Sequence, residues 1–289
     1  MRSAGPQTRR DPTPRERAAL VALLGDEDPE VFHAVKKRLL ECAPESAAWL
    51  KEAVLDPDPC VRRHAQEVVR AIARQNADWR FLDFCRRHRE EMDLEEGLWL
   101  LAATRYPEIN IEAYRALLDQ FAAELDQRLP RQRRSLACLA VMNDFLFNEL
   151  RFRGNLEDFH DPDNSYFNRV IDRRTGNPIS LCALYWLLAR RVGLPVVGVN
   201  MPLHFLCRFQ TARETVFIDA FNRGKLLTRT DCIRFLQEHG PGFEETALAP
   251  ATARKTLRRF CLNLQQTYLS RRLTEEAARL GRYLRALDG

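Results

Sequence analysis

Long apolar runs are missing from this chain. The longest, Leu181 to Ala189, is stopped by Arg190-Arg191, well short of the roughly 20 residues that a membrane helix needs. Met1 to Pro14 is polar and proline-containing, without the apolar centre of a secretory leader, so neither export nor membrane attachment is expected. Closely spaced cysteines are missing as well. The eight cysteines, at positions 42, 60, 85, 138, 182, 207, 232 and 261, form no Cys-x-x-Cys pair. Structural zinc is therefore not expected, and the thiols read as the reduced cysteines of a cytoplasmic protein. Lysine is scarce, with 5 against 40 arginines, and the formal charge of +5 is spread among 40 acids. With abundant alanine and leucine, that skew reads as the coding bias of a high-GC bacterium rather than as the footprint of a nucleic-acid partner. The one dense basic cluster, Arg131-Gln-Arg-Arg134, lacks interleaved aromatics and reads as a solvated connection between helices. The acid run Asp158, Asp161 and Asp163 lacks the glycine and terminal glutamate of a calcium loop. No metal and no cofactor is expected.

What is present is enough for two domains: 289 residues with 45% hydrophobic content. Near the N-terminus, Leu20-Val-Ala-Leu-Leu-Gly-Asp-Glu-Asp-Pro-Glu-Val31 recurs as Leu50-Lys-Glu-Ala-Val-Leu-Asp-Pro-Asp-Pro-Cys-Val61, a period of 30 residues. In each copy an aspartate, Asp28 or Asp58, is placed to cap a helix whose first residue is proline. The pattern predicts two helical hairpins and resembles HEAT-type repeats, whose helix pairs stack because one pair cannot bury its apolar face. Such a region packs against its neighbours or binds a partner. Helical periodicity continues through Leu94 to Thr104, Glu112 to Leu129 and Arg134 to Leu150. A polar, turn-rich stretch from Arg153 follows, with Asn164 or Ser165 expected to cap a short helix over Tyr166 to Asp172.

Gly176-Asn177-Pro178 then opens an amphipathic helix running to Val192. His204 begins a strand in which Phe205, Cys207 and Phe209 alternate with His204, Leu206 and Arg208. Asp219 ends the next strand, and Thr211 to Glu214 joins the two as a hairpin, which lets His204 and Asp219 face each other. An aspartate that orients an imidazole is half of a catalytic triad, and the same pair also serves as a structural hydrogen bond. Asn168, Arg173 and Arg174 precede the helix and could line a binding cleft there, or cap and solvate it.

Several motifs in order carry a family resemblance. They are Asn143-Asp-Phe-Leu-Phe-Asn-Glu-Leu-Arg-Phe-Arg-Gly-Asn155, Asp161-Pro-Asp-Asn-Ser-Tyr-Phe-Asn-Arg-Val170, Arg173-Arg-Thr-Gly-Asn-Pro-Ile-Ser-Leu181, Gly193-Leu-Pro195 and the His204 and Asp219 segments. From about Leu98 to Leu236 the chain resembles the SirB-type transglutaminase-like core family of the papain-like superfamily. The resemblance implies an α+β fold with a central helix on an antiparallel sheet, preceded here by the all-α repeats. The implied divisions are a HEAT-like region over 1–93, the core over 94–245 and a helical tail over 246–289. Thiol enzymes of this kind place a cysteine at the helix start, where the dipole stabilises its thiolate. Pro178 occupies that place, as is typical of the family, and proline has neither nucleophile nor donor. Two residues depart from the family pattern: Asn177 replaces an aliphatic side chain, and Leu203 replaces a glycine.

Cys182, one helical turn further on, reads as a small core residue, and Ser180 as a capping hydroxyl. The expected function is a non-catalytic transglutaminase-like module that binds a protein or peptide in a regulatory role. The alternative is a thiol hydrolase or acyltransferase using Cys182, His204 and Asp219.

Overall fold

A computed structural model describes residues 12–41, 46–87, 92–239, 242 and 244–289. These fall into two compact units. The first holds the described residues up to Arg80 together with Ala103–Glu108, and the second Phe81–Ala102 with Ile109–Gly289.

The first unit is built from α1 (Pro14–Leu23), α2 (Pro29–Glu41), α3 (Ser46–Ala53) and most of α4 (Pro59–Arg87). The repeat in the sequence is a repeat in structure. Asp28 Oδ1 accepts the Glu30 N–H at 2.8 Å, and Asp58 Oδ1 accepts the Cys60 N–H at 2.7 Å. One step earlier, Asp26 accepts the Asp28 N–H and Asp56 the Asp58 N–H, both at 2.9 Å. Each aspartate pair tightens the turn and satisfies an orphan donor at a helix start whose first residue is proline. The apolar faces so aligned close over Leu24, Leu39, Leu50, Ala65 and Val68.

The second unit surrounds a four-stranded antiparallel sheet. Its strands, in spatial order, are β3 (Val196–Val199), β4 (Leu206–Gln210), β5 (Thr215–Asp219) and β6 (Lys225–Leu227). Ahead of it lie a short parallel pair, β1 (Arg153–Gly154) and β2 (Thr175–Gly176). The helices are the first part of α5 (Leu94–Arg105), α6 (Ile111–Arg128), α7 (Leu136–Asn143), α8 (Phe167–Arg173), α9 (Pro178–Arg191), α10 (Arg229–His239), α11 (Ala253–Ser270) and α12 (Thr274–Asp288). The central helix α9 packs on β3 and β4, with α6 and α11 also against it. On the other side of the sheet, Leu206 and Phe217 join Cys232 and Leu236 of α10 in a second apolar cluster. The tail helices α11 and α12 belong to the same unit as the sheet. They are tied to it by a buried hydrogen bond of 2.8 Å between the Tyr166 and Tyr268 hydroxyls.

Four local expectations change. The helix expected over Arg134 to Leu150 is α7 followed by a wider π-helical turn, Asp144–Glu149. Helix α9 is not amphipathic: Ile179 to Tyr185 and Leu187 to Ala189 are all buried, because elements cover it on every side. Within it Tyr185 and Leu188 are fully buried and Trp186 half-buried. His204 precedes β4 rather than opening it. Finally, α8 begins after Tyr166 with no side-chain cap, because Asn164 and Ser165 are engaged elsewhere.

Candidate functional site

The start of α9 is held by a buried polar network. Asn177 Oδ1 accepts the Ser180 N–H at 3.1 Å, and the Ser180 hydroxyl accepts the Asn177 N–H at 3.0 Å, a reciprocal capping box. Asn177 Nδ2 donates to the Ser165 hydroxyl at 2.7 Å, and the Asn177 N–H lies 3.3 Å from the Asn164 carbonyl. Asn164 Oδ1 in turn accepts from Asn155 Nδ2 at 2.9 Å. Gly176 is needed beside this box, since a Cβ there would come within 2.4 Å of the Ser180 oxygen. Asn177, where an aliphatic residue was expected, thus fixes Pro178 at the first helical position.

His204 reaches the same place from the loop before β4. Its Nε2 stands 3.0 Å from Asp219 Oδ1, an ion pair when the ring is protonated, and the carboxylate is nearly buried. Asp219 also accepts the Asn222 N–H at 3.2 Å and Asn222 Nδ2 at 2.8 Å. Burial works to raise the Asp219 pKa, but His204 and the two Asn222 contacts outweigh it and hold the carboxyl below its ordinary value. The approach is a close charge contact rather than an aligned hydrogen bond, since Nε2 has no hydrogen-bond partner among the described residues.

Pro178, Ile179, Leu203 and His204 line one side of a cleft of about 430 Å³. The opposite side is α11. Arg259, Asn263, Gln266, Thr267 and Ser270 line the cleft at helical spacing, while Leu257, Phe260, Cys261, Leu264 and Tyr268 of the same helix are buried. Arg259 bridges Asn263 Oδ1 and Asn200 Oδ1, each at 3.1 Å, and burial lowers its pKa. Asparagine, glutamine and hydroxyl groups at a cleft wall suit hydrogen bonding to peptide amides. This wall is not among the residues expected from the sequence. The signal was available as a polar stripe at i, i+4, i+7, i+8 and i+11 from Arg259, but nothing local said which element it would face.

Leu203 sits at φ 66°, the left-handed region, and is 61% exposed beside His204. That geometry explains why glycine was expected. A non-glycine residue there costs about 1–2 kcal/mol, partly offset by the larger unfolded-state freedom of glycine. Leu203→Gly is expected to stabilise the fold by about 0.5–1 kcal/mol, read as a higher urea midpoint. A lower midpoint would show that the leucine side chain makes a stabilising contact at the cleft.

The other expected site residues are not gathered at His204. Cys182 is fully buried, its Sγ donating to the Phe205 carbonyl at 3.3 Å, and it does not line the cleft. Burial, helped by Cys207, pushes its thiol well above the ordinary range, so it stays protonated at neutral pH. Asn168 is buried, with its Oδ1 lacking a hydrogen-bond partner among the described residues. Arg173 binds Asp161 at 2.6 Å. Arg174, at φ 54°, lies 4.9 Å from the ring centres of both Phe121 and Phe152. None of these three side chains lines the His204 cleft. Among the described residues, no cluster of His, Cys, Asp or Glu could hold a metal ion, and no helix is long and apolar enough to cross a membrane.

Residues 112–262, from α6 into α11, match the model of the transglutaminase-like superfamily. The UPF0162 protein of Xylella fastidiosa (strain 9a5c) is 33% identical over 196 residues, covering 66% of this chain and 70% of that protein. The UPF0162 protein of Vibrio cholerae is 27% identical over 162 residues, 55% of this chain and 60% of the relative. F-box only protein 21 of Homo sapiens is 39% identical over 109 residues, 35% of this chain but 17% of that protein. No solved structure matches the chain. With more than half of its length matched and the helix, sheet and His–Asp pair in the expected order, the chain belongs to the transglutaminase-like superfamily.

Proposed function

We propose that this protein is a non-catalytic, SirB-type member of the superfamily that binds a peptide segment of a partner protein in the His204 cleft, in a regulatory role within the cytoplasm. Its first unit is a HEAT-like repeat that adds a second contact surface. The observation that carries this reading is Pro178. At the helix start facing His204, where acyl transfer needs a thiolate, it offers neither nucleophile nor proton. The polar face of α11 favours amide recognition, and neither nucleic acid nor membrane is a partner. Coverage of the human relative supports a modular use, since the shared 109 residues make up 17% of that protein. The thiol-enzyme alternative needs Cys182, whose sulfur is buried and bonded to a carbonyl.

Displayed peptide libraries selected on the full chain, with products analysed by mass spectrometry, test the reading. Bound peptides are expected to remain intact, and Gln266→Ala or His204→Ala to weaken them about fivefold or more. Peptide turnover that disappears in Cys182→Ala would replace this reading with the thiol enzyme.

A further inference from the structure

A second cleft of about 750 Å³ lies on the second unit, between the π-helical turn, β1 and the turn after β5. Its floor is aromatic, with Phe147, Phe152 and Phe221. At its rim, Leu156 is 81% exposed. Four arginines line it: Arg151, Arg153, Arg173 and Arg223. Only Arg173 is neutralised, by Asp161 and Asp163. Arg223 donates to the neutral Asn148 Oδ1 at 2.6 Å, and among the described residues Arg151 and Arg153 pair with no carboxylate. Elsewhere in this unit arginines are commonly matched by acids, as in Arg115 with Glu96, Arg128 with Glu149, Arg191 with Glu95 and Arg271 with Asp158. Like charges converging on one apolar floor repel one another unless a ligand supplies the opposite sign.

The backbone of β1 adds a directional feature. The Arg153 N–H bonds the Arg174 carbonyl and the Asn155 N–H bonds the Gly176 carbonyl, both at 3.0 Å. The alternation of a strand turns the N–H and C=O of the intervening Gly154 to the opposite edge, away from β2. Gly154 lines the cleft and accepts no side chain, because a Cβ would meet the Phe221 ring at 2.6 Å. A free strand edge, unmatched arginines and an aromatic floor together favour an extended peptide over an isolated anion.

We propose that this cleft is a docking site for an acidic, leucine- or aromatic-containing peptide segment of a partner protein, laid along the edge of β1 with its carboxylates on Arg151, Arg153 and Arg223. It shares no lining residue with the His204 cleft, although its Phe221 ring lies 6.4 Å from the His204 ring, and it does not depend on the function proposed there.

Fluorescence anisotropy with a fluorescein-labelled peptide alternating glutamate and leucine, titrated with the full chain, tests the site. The matching glutamine–leucine peptide serves as the charge control. The glutamate peptide is expected to bind more tightly at low salt and to lose affinity as salt rises. Arg151→Gln with Arg153→Gln should weaken it about tenfold. Leu156→Glu, at an exposed position that folding does not depend on, should weaken it similarly. Arg131→Gln with Arg134→Gln, on the connection between α6 and α7, should leave it unchanged. Equal losses in the two double variants would reduce the effect to net charge and overturn the proposal. Inorganic phosphate or free glutamate competing as strongly as the peptide would overturn it too, in favour of a simple anion site.

Discussion

Pro178→Cys is expected to create a thiol that reacts with iodoacetamide at pH 6–7 about tenfold or more faster than a cysteine of ordinary pKa. Position 178 is the first residue of α9 and lines the cleft that His204 enters. A sulfur there meets the positive end of the helix dipole and an imidazole whose Nε2 lies 3.0 Å from the Asp219 carboxylate. Both favour the thiolate, so its pKa should fall below the ~8.5 of a free cysteine. At pH 6.5 such a free thiol is about 1% ionised, and each unit of pKa decrease raises that fraction nearly tenfold, less a smaller loss of intrinsic nucleophilicity. Mass spectrometry of the peptide containing residue 178 separates the new thiol from Cys60, which is partly exposed. Adding His204→Ala should remove most of the gain. An ordinary pKa at position 178, insensitive to His204, would show that these residues do not form the remnant of a thiol site. The family membership would stand regardless.

Leu188→Ala should cost about 2–5 kcal/mol, through lost apolar transfer and the cavity left behind. Leu188 is 0% exposed on a helix that is buried all round, so the site has little room to relax into. Against a total stability of about 5–15 kcal/mol, the loss should lower the urea midpoint by about 1–2 M. Leu226→Ala provides the contrast. Leu226 is 44% exposed on β6, and its truncation should change stability by about 0.5 kcal/mol or less. Similar midpoints for the two variants would contradict the placement of α9 as the centre of the second unit.

Features that depend on neighbouring residues were legible in the sequence. Asp28 and Asp58 cap their helices because an aspartate before a proline-led helix finds the first free N–H groups a few atoms away. Ser180 caps α9 for the same reason. His204 and Asp219 meet because a short hairpin, closed by the Thr211 N–H on the Glu214 carbonyl at 2.9 Å, brings β4 and β5 into register. The cap expected from Asn164 or Ser165 failed at the next level. Both side chains are strong local cappers, but Asn177 and Asn155 compete for them from up to 12 residues away in the chain, and the buried network satisfies more polar groups than one cap would.

The sequence by itself determined the family, the helix starts at Pro29, Pro59 and Pro178, the closeness of His204 to Asp219 and the absence of a thiol at position 178. Each follows from residue identity or from contacts within a few tens of residues. Tertiary structure alone decided what surrounds them. It set the Cys182 sulfur on the Phe205 carbonyl, and made α11, which begins 49 residues beyond His204, the far wall of the cleft. It also left Arg151 and Arg153 without acids among the described residues while matching Arg271 to Asp158 across the fold. Hydrogen-bond patterns and propensities are written into short stretches of backbone. Burial and charge matching are set by whichever distant element fills the adjoining space, and only the packed chain fixes that choice.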